Sequence, residues 1–153
     1  MRAMDLNKMA ADIRAKYSVY GNAHLEILEA HETFKVRMSL GPETENHLKM
    51  MHAAYLFAGG EFLRGLVPMV YLARPEKFQP VVRDLKIEFK APAFSSVTAE
   101  TKFSQAQADE MNDTLDKEGR FDFTLLADLK DESEKLVART TTNYVIRNFL
   151  SGG

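Results

Sequence analysis

Four polar side chains stand inside the most apolar run of the chain, the segment NHLKMMHAAYLFAGGEFLRG at 46–65: Asn46, His52, Glu61 and Arg64. Their neighbours Leu48, Met50, Met51, Tyr55, Leu56, Phe57, Phe62 and Leu63 would bury a helix on nearly every side. Burial makes a polar group costly unless it has a partner or a task, so chemistry is to be sought first at these four. A carboxylate can act as general base toward water, while an imidazole or a carboxamide can hold or polarise a carbonyl. The first amides of a buried helix add preorganised donors and the positive end of the dipole, which suit a developing oxyanion. Acid, donor and polar positioner make a minimal set for acyl transfer to water, with no metal or redox cofactor required.

Spacing restricts how such a set can assemble. His52 and Glu61 are nine positions apart, which on a helix turns them to opposite sides and separates them by roughly 13 Å along the axis. If both act on one bond, the second must come from another copy, and a two-fold dimer with two composite sites follows. Each residue also has a structural alternative. Glu61 and Arg64 stand one turn apart and can form a buried ion pair, His52 can pack against a backbone carbonyl, and Asn46 can serve as a helix cap or loop brace. Tyr55, Phe57 and the methionines read as core. His24, His31 and His47 lack ligand spacing with acidic partners, so no metal site is expected. Thr140, Thr142 and Ser95 have no neighbouring base at readable spacing and are poor nucleophiles.

The elements that must position these groups follow from hydrophobic periodicity. Leu6, Met9, Ala10, Ile13 and Tyr17 predict an amphipathic helix within 1–22, and Gly21-Asn22 ends it. Phe34, Val36, Met38 and Leu40 alternate with polar residues in a strand that starts near Leu25, closed by Gly41-Pro42. Thr44 and Asn46 are the nearest cap-type residues before the central helix, predicted at 46–66. MVYLA at 69–73 is read as a strand or its approach, and Leu85, Ile87 and Phe89 form the clearest strand. Further strands are expected at Val97–Phe103, through Phe121, Phe123, Leu125, Ala127 and Leu129, and from Leu136 to Ile146, with a polar exposed connection over 104–119. One domain spanning 1–153 is expected, α+β in class: five or six antiparallel strands whose apolar faces curl around the buried helix.

Composition removes several classes of function. Of 153 residues, 20 are Lys or Arg and 22 Asp or Glu, a net charge of −2 without a basic block, so no nucleic-acid partner is expected. Lys49, Glu61, Arg64 and Gly59-Gly60 interrupt the apolar run, so no membrane span is expected. The absence of cysteine excludes a disulfide framework and a thiolate nucleophile. The N-terminal MRAMDLNKMAADIRAK lacks a signal-type apolar core and carries Asp5 and Asp12, so a cytoplasmic location is expected.

This outline, with Asn46 followed by His52-Ala53, the acidic Glu61 within the helix, and the segment VRDLKIEFKAPAFSSVTAE at 82–100, resembles the hotdog-fold superfamily. The likeness is to its small thioesterase-like members, including the phenylacetate-degradation type of acyl-CoA thioesterase, and covers residues 25–147. The resemblance implies a curved antiparallel sheet around a long central helix and hydrolysis of acyl-CoA or a related acyl thioester. It assigns the catalytic roles to Asn46, His52 and Glu61 and an oxyanion-binding amide to Ala53; Arg64 and Tyr55, in the same run, are expected to contact substrate. It implies no cofactor beyond the coenzyme A of the substrate, and a homodimer that pairs further into a homotetramer in some members. Ala53 stands where glycine is common, and Ser96 likewise. Two alternatives share the fold: a non-catalytic acyl or acyl-thioester binding protein, and an acyl-thioester hydratase or dehydratase, whose HFPG-like segment this chain lacks.

Overall fold

The computed structural model describes residues 4–151; positions 1–3 and 152–153, the ends of the expected 1–153 unit, lie outside the described residues. Strands β1 (Glu26–Met38), β2 (Gln79–Phe89), β3 (Val97–Phe103), β4 (Arg120–Lys130) and β5 (Leu136–Arg147) form one sheet in the order β1-β3-β4-β5-β2. All neighbours are antiparallel. Among the described residues the sheet has five strands, within the expected five or six. Across the inner face lies helix α3 (Ala53–Tyr71), which touches all five strands. Five strands about 4.8 Å apart are wider than a helix of roughly 10 Å, so contact with every one requires the sheet to curl around it.

Alternation in the sequence becomes the core. Phe34, Val36 and Met38 of β1, Val97, Ala99 and Phe103 of β3, Leu125, Ala127 and Leu129 of β4, and Ala138, Tyr144 and Ile146 of β5 are buried with Leu56, Leu63, Leu66 and Val67 of α3. Gly59 and Gly60 let the helix settle onto the sheet. A Cβ on Gly59 would overlap the end of Met38 on β1, and a Cβ on Gly60 would overlap Thr140 on β5.

Several expectations need correction. The central helix begins at Ala53 rather than near Asn46 and runs to Tyr71 rather than residue 66. Asn46 spends its side chain on a turn: Oδ1 accepts from Leu48 N at 2.8 Å and Met50 N at 3.2 Å, and Lys49 has φ 64°. His52 takes the cap position instead, its Nδ1 accepting from Ala54 N at 3.0 Å. Pro68 does not stop the helix, and 69–73 closes its last turn with Leu72 N donating to Pro68 O, so no strand forms there.

The expected connection at 104–119 is a helix, α4 (Gln105–Glu118). A reciprocal capping box between Ser104 and Gln107 starts it, and Gly119 at φ 73° ends it. Only Ala108, Met111 and Leu115 bury an apolar stripe there, too sparse for periodicity to stand out. Among the described residues, the segment expected as one helix holds two, α1 (Leu6–Lys16), capped by Asp5, and α2 (Ser18–Asn22), joined at the extended Tyr17.

Candidate active site at the start of the central helix

The N-terminus of α3 is where chemistry-bearing groups meet open space. His52 carries φ −63° and ψ 140°, and its cap bond commits Nδ1 as an acceptor. The neutral ring therefore carries its proton on Nε2, at the exposed edge. The next amide, Ala53 N–H, has no acceptor among the described residues, as expected of a first helical amide. Asn46, Ala53, Met51, Leu56, Phe89 and Pro92 line a cavity of about 360 Å³. The bridge between Glu45 and Met51, with Met51 N donating to Ala93 O at 2.9 Å, holds the Asn46 loop against the segment that follows β2. The Asn46 oxygen is spent on the turn, while its amide nitrogen has no partner among the described residues.

Glu61 stands elsewhere. Its Oε1 pairs with the Arg64 guanidinium and its Oε2 accepts from the Tyr20 hydroxyl at 3.2 Å. Both charged side chains are about one-fifth exposed. Tyr55 turns toward α2, where its hydroxyl accepts from Asn22 Nδ2 at 3.4 Å. One protomer therefore brings Asn46 and Ala53 to one cavity, with the His52 cap next to Ala53 but outside the lining. It keeps Glu61 about two turns and Arg64 about three turns along the helix, and none of His52, Tyr55, Glu61 and Arg64 lines that cavity.

The flank of α3 that carries Glu61 is partly open, at Phe57. Gly59 faces β1 and Gly60 faces β5; continuing at about 100° per residue, Phe57, Glu61, Arg64 and Pro68 follow on the side toward β2. Strand β2 is a sheet edge. Register pairs its Val82, Leu85, Ile87 and Phe89 with Tyr144, Thr142, Thr140 and Ala138, so they share the inner face. Yet Phe89 is 56% exposed and Val82 36%, with Phe57 across from them at 41%. Apolar surface thus stays exposed on both the helix and the edge strand, on the flank that carries the Glu61–Arg64 pair.

Groups that sequence reading missed border this pair. Tyr20 and Tyr144 both have phenols pushed well above the usual range, chiefly by burial. Tyr144 OH, Thr140 Oγ1 and Arg64 Nε are buried without a partner among the described residues. Nothing in the local pattern distinguishes these tyrosines from ordinary core. A larger cleft of about 570 Å³ opens where β3 and β4 part. Its lining mixes Lys102, Glu110, Asp128, Lys130 and Arg139 and includes none of the expected residues. Among the described residues no group of three His, Cys, Asp or Glu could hold a metal ion, and no helix is long and apolar enough to cross a membrane.

Comparison with known proteins places this geometry. A Pseudomonas aeruginosa protein of unknown function, named a probable thioesterase, matches with 21% identity over 93% of this chain and 95% of its own, at a TM-score of 0.83. A thioesterase from Haemophilus influenzae matches at 16% identity, over 99% and 96%, with a TM-score of 0.75. A thioesterase variant from Staphylococcus aureus matches at 15%, over 86% and 99%, with a TM-score of 0.68. No curated protein matches this chain. These likenesses show the hotdog fold. A family model described as a domain of unknown function, DUF4442, matches residues 6–146. The chain belongs to the DUF4442 family.

Proposed function

We propose that the protein is a homodimeric acyl-thioester hydrolase, with acyl-CoA as its substrate class and two composite sites between subunits. The observation that carries this reading is that Ala53, whose N–H has no acceptor among the described residues, lines an apolar cavity together with Asn46 at the start of a buried helix. The acyl group would lie in the cavity, with its carbonyl oxygen on Ala53 N–H, while His52 Nε2–H would approach from outside the cavity lining. Glu61 of the partner subunit takes a proton from water as the water oxygen bonds to the acyl carbon. Collapse of the tetrahedral oxyanion breaks the C–S bond and releases the thiolate, and Glu61 returns the proton. The amide nitrogen of Asn46 positions the water or the acyl group.

The exposed apolar surface beside β2 supports dimerisation, since its Val82, Phe89 and Phe57 border an unpaired strand edge. A second copy that covers this face would carry its own α3 across it and bring the two Glu61 flanks toward the opposite helix starts. Further pairing into a tetramer, a cytoplasmic setting and the absence of any cofactor beyond substrate coenzyme A belong to the same proposal. Arg64 acts in this scheme on Glu61, and contact with substrate is secondary for it and for Tyr55.

A second reading is favoured by one feature. Both Glu61 oxygens are already engaged, by Arg64 and by Tyr20, which suits a protein that binds acyl thioesters without turning them over. Thiol release from a panel of acyl-CoA substrates separates the two. Hydrolysis by the native chain that falls at least about 100-fold in Glu61→Gln supports the enzyme. Tight binding with no release in either protein supports the binder.

A further inference from the structure

The N-terminal helices lie outside every role so far assigned, yet one of them reaches the carboxylate on which the proposed hydrolysis depends. The extended Tyr17 breaks the helical path between α1 and α2. The Tyr20 ring then meets Phe62 edge-on, with centroids 4.9 Å apart. From there the hydroxyl reaches Glu61 Oε2 at 3.2 Å. A phenylalanine would satisfy the ring packing equally well, so the hydroxyl has a separate consequence. Burial and the neighbouring carboxylate push the Tyr20 phenol upward, so it stays protonated and serves as a donor.

Arg64 sits on the same helix as Glu61, one turn away, and by itself leaves the carboxylate free to swing about its last torsion. A second donor from a different element removes that freedom. It fixes the carboxylate plane, and a carboxylate that accepts these two bonds still has lone pairs left to take a proton. Asn22, at the end of the same short helix, adds a tie to Tyr55 on α3 at 3.4 Å. The segment is thus joined to the helix by polar as well as apolar contacts.

We propose that Tyr20 is a positioning residue for Glu61, so that the N-terminal helix pair is a working part of the active site. This inference rests on Glu61 being the general base.

The test is a double-mutant cycle on the full-length chain: native, Tyr20→Phe, Glu61→Gln and the double variant, each with kcat, KM and melting temperature measured on an acyl-CoA substrate. Loss of one hydrogen bond to a charged group predicts about a tenfold fall in kcat for Tyr20→Phe, with KM within about twofold and a melting temperature only a few degrees lower, so that the chain stays folded at the assay temperature. In the Glu61→Gln background the same substitution changes kcat by less than about twofold, because the group it positions is gone. A native-like kcat in Tyr20→Phe, while Glu61→Gln is impaired, overturns the proposal and leaves the hydrolase reading intact. An equal loss in both backgrounds, or a loss accounted for by unfolding at the assay temperature, reduces Tyr20 to packing and also overturns it. If Glu61→Gln turns over like the native chain, or the native chain hydrolyses no thioester, the general-base reading falls and this inference falls with it.

Discussion

Three glycines on α3 have identical intrinsic propensity but opposite surroundings, so their alanine variants test how the helix is seated. At Gly60 an added Cβ would lie 2.9 Å from the Thr140 Cβ, and closer still to both of its γ atoms. Because Oγ1 and Cγ2 straddle the approach, any 120° rotation of Thr140 swings one away and leaves the other in place. No rotamer relieves the overlap, and Thr140 is fully buried. Overpacking of this kind costs about 1–3 kcal/mol, and with no relaxation open the upper end applies. Replacing glycine in a helix returns about 1 kcal/mol, so Gly60→Ala should lose about 2 kcal/mol net, or about 4–8 °C of melting temperature for a chain of this size.

At Gly59 the obstacle is the far end of Met38, 2.9 Å away at Sδ, which can move aside; that variant should stay within about 1 kcal/mol of native. At Gly65 nothing lies within 4 Å, and Gly65→Ala should gain about 0.4–1 kcal/mol. Urea titrations of all three at one protein concentration read the order directly. A Gly60→Ala protein as stable as Gly65→Ala would mean that the helix does not rest on β5 as described.

Two further outcomes follow. Ala53→Pro removes the free amide while keeping the helix, since proline is tolerated at the first helical position and His52 already has the extended backbone that a following proline demands. In acyl-CoA hydrolysis kcat should fall about 100-fold with little change in melting temperature, and a native kcat would exclude this amide as an oxyanion donor. Tyr144→Phe deletes a buried hydroxyl without a partner among the described residues, so stability at pH 7 should hold or rise by up to about 1 kcal/mol. Burial raises the folded-state pKa of this phenol, so its contribution is present below the unfolded value near 10 and is lost as pH climbs toward the folded one. The native chain should therefore weaken more steeply than the variant above about pH 10, and matching urea midpoints across that range would contradict the assignment.

The strands were legible because each has one apolar and one polar face: Phe34-Val36-Met38 and Leu125-Ala127-Leu129 show the two-residue period and are buried. A buried helix was equally plain, but its ends were not. Thr44 and Asn46 are cap-type residues whose side chains went to loop bonds instead, and the actual cap is a histidine, a residue type outside the usual preference. Helix α4 escaped because its buried face is only Ala108, Met111 and Leu115, whereas its capping box Ser104-Gln107 was present to be read. The placement of His52 and Glu61 at different points along one rod followed from arithmetic alone. That Tyr20 meets Glu61 across 41 positions, and that β2 leaves Val82 and Phe89 uncovered, depends on tertiary packing that no local pattern encodes.

Subunit complementation tests the composite site most directly. His52→Ala and Glu61→Gln homodimers, each impaired, are dissociated, mixed in equal amounts and allowed to reassociate, and hydrolysis is compared with each variant treated alone. Half of the dimers should then be mixed, and each mixed dimer holds one site with both native groups, so turnover should recover to about a quarter of the native value per chain. No recovery, although mixed dimers have demonstrably formed, would contradict a site shared between two copies of the central helix.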